Sequence, residues 1–204
     1  MTGIPKSFGS RDVEQFLVTF HGISPTGASS FGGRMKHLIR QKFPAGVDSG
    51  RGVPARYMAD EFFQVVVVSE LWQFGVPPAR ATKLVVEAWP KLRRSIQTVW
   101  HTVEAAQRGA KLNLTPIFWS IPVEALGYLS NEYRPWEKPD ADKISVATAK
   151  ERDELENHAG KLSWRISYIK ADKMLAAVFE LLNHGTFHLS DEQIALFMST
   201  MAAK

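Results

Sequence analysis

The chain has 204 residues, 45% of them hydrophobic and 23% charged, a balance typical of a folded globular protein rather than a disordered tail. It has no cysteine, which excludes disulfides, thiolate metal sites and cysteine nucleophiles. Without a run of about 18 apolar residues or a secretory pattern at its N-terminus, the sequence predicts a cytoplasmic protein with no membrane partner.

The net charge of +4 is distributed unevenly along the chain. Residues 1–100 contain 13 basic and 7 acidic residues, whereas residues 101–204 contain 12 and 14. Such an asymmetry predicts an N-terminal part that faces nucleic acid and a C-terminal part with another task, such as pairing or partner recognition.

The first elements predict a helix, a tight turn and a second helix. Ser10 is a candidate cap for a first helix of about 11 residues that His21-Gly22 ends. Residues 23–27 are typical of a turn, and either Ser24 or Thr26 is placed to cap the next helix. Apolar residues then recur at helical spacing: Phe31, Met35, Leu38, Ile39 and Phe43.

The second helix opens a strongly basic stretch, residues 31–57. In a helix-turn-helix the second helix lies in the major groove of DNA, and lysine and arginine displace counterions from phosphates. A solvated charged face is the alternative interpretation. The candidate DNA contacts on and just after this helix are Ser29, Ser30, Arg34, Lys36, His37, Arg40 and Lys42.

Residues 47–57 predict a short basic hairpin. Gly50 and Gly52 permit a tight tip from which Arg51 projects, as in a wing that reaches a neighbouring groove or phosphate. Arg56 and Tyr57 close the hairpin and join the candidate DNA contacts. The alternative is a plain surface hairpin.

The spacing of apolar residues after the hairpin predicts three further helices. Residues 58–75 predict a helix buried on most sides, and a second helix runs from Pro77 until Pro90 stops it. From Lys91 the apolar residues recur at spacings of four and three, which indicates either a heptad seam between two protomers or packing within one chain. The seam residues, taken as the candidate dimer interface, are Leu92, Ile96, Val99, Val103 and Ala106.

Taken together, residues 10–108 resemble the N-terminal domain of the MerR family of winged-helix regulators. The likeness rests on the order of elements, on Arg56-Tyr57, and on Asp60 opening a helix that ends in Phe74-Gly75-Val76. It implies a dimer that binds a pseudopalindromic operator, with Arg34 on the recognition helix and Arg51, Arg56 and Tyr57 in the wing. Residues 25–33 are longer and richer in glycine than the family's turn, and the metal-sensing cysteines of some members are absent.

The second half predicts a small α+β domain. Strands are expected near residues 116–121, 144–148 and 163–169, with an amphipathic helix over 171–183 and a last helix capped by Ser190. Residues 149–158 are either a solvent-facing helix or a linker. The expected fold is therefore mainly α: a winged helix-turn-helix domain (10–90), a linking or dimerisation helix (91–109) and a small α+β domain for dimerisation or signal reception (110–204).

No motif for catalysis, a metal or a cofactor stands out. His184 and His188 lie four residues apart near Glu180, but Gly185 interrupts the helix between them, so a helix end is the better interpretation. Serine-nucleophile, dinucleotide and P-loop patterns do not occur. We expect no enzyme activity, no metal and no cofactor.

The resulting hypothesis is a sequence-specific, homodimeric transcriptional regulator that is associated with the nucleoid and binds double-stranded DNA, with RNA polymerase or another DNA-bound protein as a further partner. One alternative is an architectural or recombination accessory protein of phage or mobile-element type, which uses the same fold to bend DNA. A further alternative is a protein-interaction domain without DNA binding, because a fold does not by itself establish a function.

Overall fold

The structure is a computed structural model that describes residues 7–47, 54–122, 144–159, 166–185 and 187–202. It is mainly helical and has a small sheet of a few strands. The helices are α1 (Ser10–Phe20), α2 (Pro25–Arg40), α3 (Ala59–Gln73), α4 (Pro78–Gln107), α5 (Ala149–Ala159), α6 (Ala171–His184) and α7 (Asp191–Ala202). The strands are β1 (Phe8–Gly9), β2 (Arg56–Tyr57), β3 (Ile117–Pro122), β4 (Ser145–Thr148) and β5 (Ile166–Lys170).

The chain divides into two compact units. Unit 1 comprises residues 1–70 and 178–204, and unit 2 comprises residues 71–177. Helices α3 and α6 each contribute residues to both units. The last helix of the chain belongs to unit 1, where Phe197 shares an aromatic core with Phe8 and Phe62.

Helix α1 has the predicted bounds, but its cap lies one residue earlier than expected. The N-cap residue is Gly9 and not Ser10, and the Gly9 backbone N–H donates to Asp12 Oδ2 at 2.9 Å. At its other end Gly22 adopts φ 59°, a left-handed conformation that glycine tolerates and that turns the chain toward α2.

Helix α2 starts at Pro25, so residues 25–33 are helical rather than an extended turn. Ser24 Oγ accepts a hydrogen bond from the Gly27 backbone N–H at 3.3 Å, and Pro25 occupies the first turn, where its missing N–H needs no partner. Gly32 is buried beside α1, and a Cβ atom there would lie 2.6 Å from Glu14 Oε1, the end of a flexible side chain that can move aside.

Helix α3 is the centre of the unit 1 core. Phe62 packs against Phe8 of β1, Phe16 of α1 and Phe197 of α7, with ring centroids 5.2, 5.0 and 5.6 Å apart and the last two pairs edge-to-face. The neighbouring Phe63 lies 5.7 Å from Phe179 of α6. Such ring pairs add to the stabilisation that burial of their area provides. The prediction of a helix buried on most sides is confirmed, because residues 65–68 are fully buried.

In unit 2, Pro90 lies inside α4 and does not end it, so the prediction of two helices separated at this proline is wrong. A helical proline removes the N–H that would bond to the carbonyl four residues earlier, here that of Val86. Val86 and Pro90 are both exposed. Water can therefore satisfy the freed carbonyl, and the helix continues over 30 residues.

The three predicted strands form one antiparallel sheet in the order β4-β3-β5. Trp119, in the central strand, is fully buried and donates its indole Nε1–H to Ser95 Oγ of α4 at 3.0 Å. A buried tryptophan needs such an acceptor. The hydrogen bond thus fixes one face of the sheet against α4.

The last helices follow the sequence pattern. The polar segment 149–158 is a helix, α5, rather than a linker. Ser190 caps α7 as predicted: its Oγ accepts from the Gln193 N–H at 3.3 Å, while its own N–H donates to Gln193 Oε1 at 2.8 Å.

The end of α2 yields a stability prediction. Lys42 has φ 55°, and its N–H and that of Phe43 close a left-handed cap on the carbonyls of Ile39 and Leu38. Because glycine adopts this conformation without a Cβ clash, Lys42→Gly should raise the free energy of unfolding by about 1 kcal/mol, measured by urea denaturation.

The matched control is the neighbouring Gln41→Gly. Gln41 has φ −78°, an ordinary value for any residue, so glycine there should lower the free energy of unfolding or leave it unchanged. Destabilisation by Lys42→Gly would mean that the lysine side chain contributes more than its backbone conformation costs.

Candidate nucleic-acid interface

Helix α2 separates its side chains into a buried and an exposed face. Phe31, Met35 and Leu38 are buried, as the apolar spacing predicted. Every candidate DNA contact on or just after this helix is exposed: Ser29, Ser30, Arg34, Lys36, His37, Arg40 and Lys42. The helix therefore presents the whole predicted set to solvent.

The exposed side chains follow two lines along α2. Ser30, Arg34 and His37 are spaced by four and three residues, and so lie on one line. Lys36 and Arg40, four residues apart, form the second line. Gly33 lies between the two lines, and a Cβ atom placed there would meet no atom within 4 Å. Within the part of the chain that the structure describes, packing thus leaves room for a side chain at Gly33.

The cations of this face have no carboxylate within α2 itself. Residues 24–47 contain four lysines and arginines and no carboxylate. Within the described ranges, none of the lysines and arginines of unit 1 forms an ion pair. In unit 2, ion pairs are formed by Lys83, Arg108, Lys150 and Arg152. Arg40 and His37 lie in the last turn of α2, where positive charge also favours the helix dipole, so part of their role is explained by the helix alone.

The expected wing is described only at its edges, because Arg51 and the tip around it lie outside the described residues. Arg56 is exposed on β2, which pairs antiparallel with β1 in the register Phe8↔Tyr57 and Gly9↔Arg56. Arg56 thus belongs to a strand that is held beside α1.

Tyr57 is not at the surface. Only 1% of the residue is exposed, because strand alternation turns its side chain toward the core while Arg56 turns outward. Burial raises the pKa of its phenol, and a hydrogen bond with the Ser10 side chain partly offsets the rise. The expectation that Tyr57 contacts DNA is corrected: it holds β2 in place.

The expected dimer seam is also corrected in part. Leu92, Ile96 and Val99 are buried within a single chain, at 0, 0 and 1% exposure, so they form core and not a free surface. Val103 and Ala106 are half-buried. Spacings of three and four describe any amphipathic helix, which explains why the pattern could not separate the two interpretations.

A polar cluster at the end of α1 was not predicted from the sequence. His21 Nε2 lies 2.8 Å from Ser69 Oγ, and His21 Nδ1 lies 3.8 Å from Glu70 Oε1. Burial lowers the pKa of His21 to about 4 and raises that of Glu70. The signal was available, since Ser69 and Glu70 interrupt the otherwise apolar run of α3.

This order of serine, histidine and carboxylate resembles a hydrolytic triad, but its hydrogen bonds point to another role. A nucleophilic serine gives its proton to the histidine. Ser69 Oγ instead donates to the Val66 carbonyl at 2.7 Å, so it accepts from His21 Nε2–H, and Ser69 is fully buried. The cluster links the end of α1 to α3.

Other kinds of site find little support in the described parts of the chain. No three histidine or carboxylate side chains there are grouped to hold a metal ion. Nor does any described helix combine the length and the apolar character needed to cross a bilayer. Comparisons with models of protein families, with characterised proteins and with solved structures find no match to this chain.

The His21 cluster predicts an acid-sensitive stability. Because the folded pKa of about 4 lies below the unfolded value of 6.5, the unfolded chain takes up a proton first as the pH falls. His21 should therefore contribute full stability above pH 6.5 and lose about 1–2 kcal/mol of it by pH 5.

Urea denaturation of the protein and of His21→Gln at pH 7 and pH 5 measures this loss. Glutamine retains a donor for Ser69 and does not titrate, while Glu70 titrates in both proteins. The difference between the proteins should therefore shrink as the pH falls. An equal loss of stability in both would rule out a neutral, buried His21.

Proposed function

We propose that the exposed face of α2, extended by Lys42 and Arg56, binds double-stranded DNA, and that the protein is a sequence-specific transcriptional regulator. The observation that carries this proposal is the set of exposed cations of unit 1, none of which has an ion-pair partner in the described ranges. Phosphates are the partner that such a set binds best, because each contact releases a condensed counterion.

The surface offers both kinds of contact that specific recognition needs. Arg34, Lys36 and Arg40 reach phosphates or guanine edges, while Ser30 and His37, on the same line of α2 as Arg34, are hydrogen-bonding groups for base edges. Gly33 supports this orientation, since a helix without a side chain at its exposed centre can approach the floor of a groove closely.

A winged helix-turn-helix of the MerR type is the finer form of the proposal. In its favour, α1 and α2 are joined by a short turn at Gly22, and β2 follows α2 in the chain, as a wing strand does. The partner of β2 in the described residues is β1, which precedes α1, and not a second strand of the expected hairpin. Arg56, and Arg51 by the sequence argument, then contact the phosphates beside the groove that α2 enters. Tyr57 is left out of the interface because it is buried.

We further propose that the protein acts as a homodimer on a pseudopalindromic site, because one module of this size specifies few base pairs. The dimer surface cannot be formed by Leu92, Ile96 and Val99, which are already buried in the protomer. The half-buried Val103 and Ala106 remain available, together with the exposed Leu112 that follows α4.

Charge removal on α2 tests the interface. Arg34→Gln and Arg40→Gln should each weaken binding to a selected duplex and reduce the slope of log K against log salt by about 1, because each removes one phosphate contact. Fluorescence anisotropy over a salt series measures both quantities. The variants should fold normally, since both side chains are exposed.

The matched control is Lys83→Gln. Lys83 is an exposed cation of unit 2 that is paired with Glu87 at 3.9 Å, so its loss should leave both the affinity and the salt slope unchanged. If the α2 variants behave like this control, the interface is assigned to the wrong surface. Bound genomic fragments at phage attachment sites, rather than promoters, would favour an architectural role.

The homodimer predicts a definite stoichiometry. Sedimentation of the protein with a selected operator should give two chains per duplex, and one chain on a single half-site of the same sequence. A 1:1 complex on the full operator would contradict the dimer and leave the DNA interface itself untouched.

A further inference from the structure

A cavity of about 440 Å³ lies within unit 2, between helix α4 and the edge strand β4. Its volume falls within the range of about 300–1,000 Å³ that is usual for small-molecule sites. One wall is a stripe of α4 side chains spaced by three or four residues: Lys91, Arg94, Ser95 and Thr98. The other wall comes from the sheet and the first turn of α5: Thr115, Ile117, Val146, Ala147, Thr148 and Glu151.

The floor of the cavity is apolar and well fixed. Ile117 of β3 pairs with Thr148 of β4, and Trp119 pairs with Val146, so these side chains share the face of the sheet that meets α4. Ser95 holds this face through its hydrogen bond from the Trp119 indole. An apolar group of a ligand would contact Ile117 and Val146.

The rim carries two cations on one turn of α4. Lys91 and Arg94 are exposed, and neither forms an ion pair within the described parts of the chain. Arg94 Nε donates to the Pro90 carbonyl at 3.2 Å, which orients the guanidinium and leaves its two terminal nitrogens to donate elsewhere. An anion would be held by these nitrogens and by Lys91 Nζ.

A carboxylate in the lining limits how much negative charge the site accepts. Glu151 Oε2 accepts hydrogen bonds from the Thr148 N–H at 2.8 Å and from Thr148 Oγ1 at 2.9 Å. These bonds hold the pKa of Glu151 below its usual value, so the group is ionised at neutral pH. Two cations and one carboxylate match a ligand with a single negative charge.

We propose that this cavity binds a small organic monocarboxylate with an apolar body. The carboxylate pairs with Arg94 and Lys91, and the apolar body covers Ile117 and Val146. The site lies wholly within unit 2, so the proposal is independent of the DNA-binding face of α2 and stands or falls separately from it.

Isothermal titration of the full chain with octanoate tests the proposal. Octanoate should bind, while octanamide, which has the same apolar body without the charge, should bind at least about tenfold more weakly. Inorganic phosphate should show no comparable binding. Equal affinity for octanamide would overturn the assigned charge contacts, equal affinity for phosphate would overturn the apolar part, and no binding of octanoate would overturn the proposal.

Variants locate the site. Arg94→Gln and Lys91→Gln should each weaken octanoate binding about tenfold, whereas Lys83→Gln, on the same helix but outside the cavity lining, should not. Glu151→Gln removes the opposing charge and keeps an amide oxygen for Thr148, so it should strengthen binding several-fold. Weaker binding by Glu151→Gln, or unchanged binding by both cation variants, would contradict the assigned geometry.

A spectroscopic signal distinguishes this cavity from binding elsewhere. In ¹H–¹⁵N spectra the indole N–H resonance of Trp119, identified by its loss in Trp119→Phe, should shift on titration with octanoate, because its acceptor Ser95 lines the cavity. A titration that shifts other indole resonances and leaves that of Trp119 in place would place the ligand outside the cavity.

Discussion

Helix α3 has almost no solvent-facing side in its middle, and this constraint determines the arrangement of unit 1. A helix that is apolar all round must be surrounded by other elements. Through Phe62 and Phe63, α3 packs against β1, α1, α6 and α7. Helix α2 packs on α1 through Gly32, and its opposite face is exposed. The face that we assign to DNA is thus a consequence of how the core is filled.

The burial of α3 also explains the His21 cluster. Ser69 is a buried polar residue of this helix, and buried polar groups are costly unless they are hydrogen-bonded. Its Oγ bonds to the Val66 carbonyl within the helix. His21 supplies a donor to Ser69 from the end of α1. The arrangement of Ser69, His21 and Glu70 is thus one in which buried polar atoms have hydrogen-bond partners.

Local signals in the sequence were sufficient where a single chain segment decides the outcome. The bounds of α1, the cap of α7 by Ser190 and the three strands of the sheet were all predicted, because caps, spacing and alternation are properties of short segments. Predictions that depend on what surrounds a residue were less successful. Pro90 does not end α4; it lies with Val86 on the exposed side of the helix, and no local pattern indicates that exposure.

The same distinction applies to the candidate sites. Exposure of Arg34 and burial of Phe31 follow from one helical period and were predicted. Burial of Leu92 and Ile96 within the protomer, in contrast, depends on the unit 2 core, and an apolar stripe looks the same whether it packs within a chain or between chains. The cavity could not be foreseen at all, because its walls come from segments that are separate in sequence.

Both proposed binding surfaces contain lysines and arginines that form no ion pair in the described residues. Ion pairs between exposed side chains contribute little to stability, typically about 0–1 kcal/mol, so unpaired cations cost the fold little. The fold can therefore leave the cations of α2, and those at the rim of the unit 2 cavity, without ion-pair partners at little cost in stability.

Where the cations lie along a convex helix face, the geometry suits a polyanion such as DNA. Where two of them border an apolar concavity beside a carboxylate, it suits one small anion with an apolar body. The shape of the surface, more than the count of charges, separates the two ligands.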